Sequence, residues 1–354
     1  MTTQFRNIVI AIIALVAIGS GQKMSAISLN LDSIASWGKF PHLCIDVYRW
    51  GDKFFNSYDS TYVVGTGKRF NVKYRAESWM DYYGFVLENR ARMAMISDPC
   101  TSMGFYLTYM AVSLGYDINV SKYFGGSAKA RRRFNFGFSC SLLAADFYFI
   151  SNDVGTRITK FETPDGIVHP KLDFNGINTS SWGFDAYYFF NHSHYSQGAA
   201  FSFSKIQRKS GGSPFAGFSF FTQDYNFDFS SVPQYIKNEL PKSWIDYKYA
   251  VSNKNYAVRI GYAYNFALPH NWTVCFSEAP TLGIRKGFIN NHEDIKTSFS
   301  LSNRFKASGV YNHGNWFVGI IGDLDAGLIY DKEHTLLNMM WSVNASVGYR
   351  FNLW

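Results

Sequence analysis

From residue 70 onward, apolar and polar positions alternate with a period of two. Phe70, Val72, Tyr74 and Ala76 interleave with Asn71, Lys73 and Arg75, and Ala91, Met93 and Met95 interleave with Arg90, Arg92 and Ala94. Successive side chains of an extended strand point to opposite faces, so each run divides an apolar side from a polar one. The clearest central run is Tyr256 to Phe266, whose eleven residues suit a tilted membrane strand. The last run, Trp341 to Trp354, sets Trp341, Val343, Ala345, Val347, Tyr349, Phe351 and Leu353 against Ser342, Asn344, Ser346, Gly348, Arg350 and Asn352. The pattern predicts an all-β fold: an antiparallel transmembrane β-barrel whose apolar face meets lipid and whose polar face lines a hydrated lumen.

Turn signals separate the runs, and their lengths alternate. Leu268-Pro269-His270-Asn271 and Asn312-His313-Gly314-Asn315 are short, whereas Ser230 to Asn255, Gly287 to Thr297 and Asp325 to Asn338 are long. Barrels of this class have short periplasmic turns and longer outer loops. Counting strands gives about twelve, with 10 to 14 allowed by phase changes near Met110 and Leu143 and by the unassigned stretch Asn152 to Ser181.

The first 64 residues read differently. Arg6, the apolar run Ile8 to Ile18 and Gly19-Ser20-Gly21 have the layout of an export signal over residues 1–21. Residues 22–64 form a periplasmic segment with one short amphipathic helix, because Leu43, Val47, Trp50 and Phe54 recur at helical spacing, apart from Asp46, Arg49 and Lys53. Residues 65–354 make the barrel.

Composition fits that division. The hydrophobic fraction is 47% and aromatics reach 19%, yet mean hydropathy is only −0.13. Alternation hides a barrel's apolar wall in the average. A soluble β-sandwich would bury the same alternation in domains of about 100 residues, and no linkers divide this chain into such units.

The net charge of +8 resides largely on the polar phase, in Lys73, Arg75, Arg90, Arg92, Arg259, Arg304, Lys306 and Arg350. These are read as lumen-facing. They describe either a solvated wall or an interior favouring anionic solutes, while Arg131, Arg132 and Arg133 could meet lipid phosphates from a loop. Strand alternation accounts for the basic residues without a nucleic-acid partner.

Candidate chemistry is sparse. Cys44, Cys100, Cys140 and Cys275 lack metal spacing, with a Cys44 to Cys100 bridge conceivable in an oxidising periplasm and Cys140 in the outward phase of Phe134, Phe136 and Phe138. His192, Ser193 and His194, with Asp185 on the preceding strand, are the one cluster mixing hydroxyl, imidazole and carboxylate, although such a turn is ordinary. Gly65-Thr66-Gly67-Lys68 lacks the spacing of a phosphate loop. No catalytic residue, cofactor or metal is expected.

Asp52-Lys53-Phe54-Phe55-Asn56-Ser57-Tyr58-Asp59-Ser60-Thr61-Tyr62-Val63, Asp331-Lys332-Glu333-His334-Thr335 and Val347-Gly348-Tyr349-Arg350-Phe351 resemble an uncharacterised outer-membrane β-barrel family of Bacteroidota, a domain of unknown function. The resemblance spans nearly the whole mature chain. It implies a fold and the outer membrane of a Gram-negative bacterium, and no activity. Tyr349, Phe351, Leu353 and Trp354 look like the strand signal read by the barrel-assembly machinery, with Trp354 out of phase. Expected partners are that machinery and outer-membrane lipids. The functional readings are a passive pore or structural barrel, a lipid-modifying enzyme, and an interaction barrel for a periplasmic or surface protein.

Overall fold

A computed structural model describes residues 57–352, except 110–111, 125–131, 153–154, 243, 290–295 and 331–333. The export signal, the helical stretch Leu43 to Phe54, Cys44, Arg131, Leu353 and Trp354 lie outside the described residues. Those described belong to one compact unit, Lys53–Leu353.

Twelve strands of this unit pair antiparallel, each with the next: β1 (Phe70–Leu87), β2 (Cys100–Tyr109), β3 (Val112–Asn119), β4 (Arg132–Ser139), β5 (Leu143–Asn152), β6 (Ile177–Phe189), β7 (Gly211–Asp228), β8 (Lys248–Leu268), β9 (Trp272–Ile289), β10 (Lys296–His313), β11 (Trp316–Tyr330) and β12 (His334–Phe351). The pairings return to their start, because β1 joins β12 along one edge and β2 along the first half of the other. The narrowest joint lies between β3 and β4, where Val112 faces Phe138 and Ser113 faces Gly137. No helix among the described residues is long and apolar enough to cross a membrane.

The phase change near Leu143 is the β4–β5 hairpin turn, with the preceding strand ending at Ser139; Met110 lies outside the described residues, between β2 and β3, which pair antiparallel. Cys140 is therefore a buried turn residue whose Sγ accepts from the Leu143 N–H at 3.3 Å, not an outward one. Cys100 is also buried, and its Sγ accepts from the Ser121 hydroxyl at 3.5 Å. The unassigned stretch Asn152 to Ser181 holds three short strands, Thr156–Thr163, Gly166–Val168 and Leu172–Phe174, that stay out of the ring. They join β1 through Arg92–Ser97, which pairs with Tyr82 to Val86.

Within the central band the alternation sorts as a barrel requires. On β8, Tyr256, Val258, Ile260, Tyr262, Phe266 and Leu268 are exposed, while Ala257, Arg259, Ala263 and Asn265 are buried. Two aromatic girdles bound this band: Trp182, Phe220 and Tyr256 toward the long loops, and Trp272, Tyr311, Trp316 and Tyr349 toward the short turns.

The strands run on beyond the first girdle. β8 has 21 residues and β1 has 18, against the roughly 10 that cross a bilayer. Past the girdle the polarity of the two faces exchanges: Asp224, Asn226, Ser252 and Lys254 point outward, while Tyr225, Phe227, Tyr249 and Val251 turn inward into an apolar core. That core also takes Tyr83, Phe85, Met93, Met95, Ile158, Phe161 and Phe174, together with Phe229, Val232, Ile236 and Trp244 of the β7–β8 loop. Phe85 packs edge-on against Phe227, Phe229, Trp244 and Tyr249 at centroid separations of 5.1 to 6.1 Å, the favoured range for aromatic pairs. An apolar cap thus fills the long-loop mouth.

Candidate functional site

The lumen is where the charged and polar side chains converge, and the connection between β6 and β7 enters it. Residues 190–210 carry a π-helical turn, Gly198–Ser202, that ends on Phe203 in a left-handed conformation with φ 60°. Tyr195, Ala199, Ala200 and Phe203 are fully or almost fully buried. Phe203 packs at a tilt against Phe317 of β11, ring centroids 5.1 Å apart. Its ring lies 2.5 Å from where a Cβ at Gly319 would stand, so only glycine admits it there.

Inner-wall side chains hold this plug by its backbone. Arg350 donates from Nε to the Phe203 carbonyl at 2.9 Å and from Nη2 to Asn312 Oδ1 at 2.7 Å, with its guanidinium 4.6 Å from the Phe317 ring centre. Asn265 Nδ2 donates to the Ser196 carbonyl and to Gln207 Oε1, both at 2.9 Å. The amines of Lys73 and Lys306 lie over the rings of Phe203 and Phe201. A two-stranded ribbon, Val63–Gly65 with Lys205–Gln207, ties the preceding segment to the plug. Burial there pushes the Tyr58 phenol up to about 12.

Between plug and cap lies a polar chamber of about 160 Å³, lined by Arg259, Arg285, Arg304, Asp185, Asp325 and Tyr148 among others. Asp185, 1% exposed, accepts from Ser219 Oγ at 2.5 Å and stands 3.5 Å from both Arg259 and Arg304. Arg304 makes a two-point contact with Asp323 at 3.1 and 2.6 Å, and Lys306 approaches the same carboxylate at 3.6 Å. Arg259 donates to the Tyr187 hydroxyl at 2.8 Å. On the facing wall Arg75 pairs with Glu77 at 3.2 Å and Asp117 at 2.6 Å and bonds Tyr106. Buried charges are tolerated when paired and hydrogen-bonded. The inner phase supplies both signs.

The basic positions singled out in the sequence therefore fall in three places. Arg75, Arg259, Arg304 and Lys306 join the ion-pair network; Lys73 and Arg350 hold the plug; Arg90 and Arg92 are exposed beyond the ring. Arg90 occupies the turn after β1 with φ 68°, which breaks the strand period, and Arg92 opens the strand Arg92–Ser97. Sequence reasoning missed the inner-phase carboxylates Glu77, Asp117 and Asp323 and grouped Asp185 with the histidine turn instead, although alternation alone places all four inside.

The histidine cluster does not assemble as a relay. Asp185 is committed inside the lumen, Ser193 Oγ donates to Asn191 Oδ1 at 3.5 Å, and His194 Nε2 lies 3.7 Å from Asp59 with its ring 4.0 Å from that of Tyr62. Among the described residues no group of three or more His, Cys, Asp or Glu could hold a metal ion.

Fold and lumen together define a transmembrane β-barrel, plugged at one mouth and capped at the other. The chain belongs to the family described as "Domain of unknown function (DUF4421)", whose model matches residues 57–351. No curated protein matches it. Among solved structures it is similar to the outer membrane protease OmpT of Escherichia coli, at 10% identity and TM-score 0.33 over 81% of this chain and 98% of that one. It is also similar to the beta domain of the Bordetella autotransporter BrkA, at 11% and 0.33 over 79% and 99%. A third likeness is the translocator domain of autotransporter NalP from Neisseria meningitidis, at 11% and 0.26 over 92% and 100%.

Proposed function

We propose that this protein is an occluded barrel of the outer membrane of a Gram-negative bacterium, a scaffold rather than an open porin-like pore. One observation carries the reading: Phe203 and its loop sit against the inner wall at one mouth, fixed by Arg350, while aromatic side chains fill the other. A water-filled diffusion path needs a continuous polar lumen, and packed apolar side chains occupy both ends here.

In this reading residues 1–21 direct export, residues 22–64 stay on the periplasmic side, and Tyr349, Phe351, Leu353 and Trp354 address the chain to the assembly machinery of a Bacteroidota cell. The β7–β8 loop, which carries the top of the cap, is the surface offered to an outside partner. Planar-bilayer recording tests the reading. Wild-type protein is expected to give no steady conductance, and deletion of Ser196 to Ser204 to produce one. Porin-sized steps from the wild type would overturn it.

The chamber favours a second reading, a gated pathway for a small polar solute, since Arg285 and Asp325 line a polar volume of about 160 Å³. Solute uptake into vesicles by wild-type protein without steady conductance would favour it over the scaffold.

A further inference from the structure

The lipid-facing wall carries one ionisable side chain. At the outward positions between the two girdles, the single acidic or basic side chain among the described residues is Glu278, exposed on β9 midway between Trp272 and Ile284. Beside it Asn303, exposed in the outward phase of β10, donates from Nδ2 to Glu278 Oε1 at 3.0 Å. Tyr262 faces Glu278 across the β8–β9 ladder, and Pro280 faces Asn303. Next to the pair the wall is shallow: Ala326 stands opposite Asn303, Ala307 stands opposite Gly322, and a Cβ at Gly322 would touch nothing.

Acyl chains offer this pair no hydrogen bond, and lipid headgroups stay at the level of the girdles. Ionisable residues at mid-membrane depth are retained against protein or water, and they mark functional positions. The pair is unsaturated as it stands. Glu278 keeps free acceptor lone pairs, and Asn303 keeps a second N–H and its carbonyl oxygen.

We propose that this face is the contact with a second copy of the chain. A two-fold axis along the membrane normal holds every residue at its own depth, so it brings the second copy's Glu278 and Asn303 to the level of this pair. Each Asn303 amide then donates to the other copy's Glu278, which satisfies both carboxyl groups with a complement already on the surface. Any other membrane protein would need a matching donor at the same depth. The small residues Ala307, Gly322 and Ala326 let the two walls approach closely, as small residues do where membrane segments associate. The proposal stands apart from the reading of the lumen, since it concerns the opposite face of the wall.

The test is the mass of the purified full chain in mild detergent and in nanodiscs, by light scattering across a dilution series. Two chains per particle are expected. Glu278→Leu and Asn303→Leu should each weaken association about tenfold, the loss of one or two intramembrane hydrogen bonds. Heat-modifiable gel migration checks that both variants still fold. A second measurement uses the wild-type contact: Ala307→Cys should bridge to itself on oxidation, whereas Phe184→Cys on β6 should not. Single-chain particles at every concentration would overturn the proposal. So would a dimer that survives both substitutions without an Ala307→Cys bridge, or Glu278-dependent retention of a different protein in place of a second copy.

Discussion

Arg350 and Phe203 are 147 positions apart, yet the guanidinium of one donates at 2.9 Å to the carbonyl of the other. No carboxylate lies within ion-pairing reach of Arg350 among the described residues, so its charge is spent on a backbone oxygen, an amide oxygen and a ring face. Arg350→Ala leaves that carbonyl buried without a donor, at a cost of about 1–3 kcal/mol. Hydrogen exchange over Ser196 to Ser204 should accelerate while β8 to β12 stay protected. Unchanged protection of the loop would refute the latch.

Gly319→Ala tests the same contact from the wall. Its methyl group would overlap the Phe203 ring, and overpacking of this kind costs about 1–3 kcal/mol. A lowered urea midpoint with an unchanged slope is expected. Combining it with Phe203→Ala should restore part of the loss, since the ring that obstructs is gone.

Asp185 serves two arginines at once. Asp185→Asn removes the countercharge that Arg259 and Arg304 share at 3.5 Å, and stranding a buried charge costs about 3–5 kcal/mol. Equilibrium unfolding from vesicles should show a drop larger than that of Glu278→Gln on the outer wall.

Phe85 sits among five aromatic rings in the cap. Phe85→Ala should cost about 3–5 kcal/mol. Protease cleavage in the β7–β8 loop is the readout, because the loop packs on Phe85 through Phe229 and Trp244. The central strands should remain uncut.

Acid should loosen the ribbon that bears on the plug. The Thr61 N–H, donating at 2.8 Å, holds the Asp59 carboxyl below its usual range, with His194 and Lys209 adding to the effect. A depressed carboxyl stabilises the fold above its unfolded value, and that contribution is lost as pH falls through the folded value. Exchange at Val63–Gly65 should rise on acidification, and Asp59→Asn should flatten that acid limb.

The barrel wall was legible in the sequence because Tyr256 to Phe266 and Trp341 to Phe351 keep one environment on each face throughout. The cap was not. Tyr249 and Val251 share the phase of Arg259 yet enter an apolar core, because beyond the girdle water lies outside and packed protein inside. A period of two says that the faces differ, not which face is wet, so Ser230 to Asn255 read as loop although β8 begins at Lys248. The plug was hidden for another reason. Asn191 to His194 reads as a turn into an alternating strand with Ala199, Phe201 and Phe203 on one face, whereas Gly198–Ser202 coils into a π-helical turn; nothing local shows that Phe203 turns inward, and Arg350, 147 residues on, holds it there. Glu278 was visible in principle as a charge out of place in the run Trp272 to Lys286.

The forked edge of β1 bears on how this molecule can vary. Its first half continues the ring through β2, but Tyr82 to Val86 hand the sheet on to Arg92–Ser97 and from there to Thr156–Thr163. The excursion after Leu87 is therefore masonry, not ornament, and shortening it would strip one side from the turret that stands above the lipid. Relatives with trimmed outer segments should keep this one and lose others first.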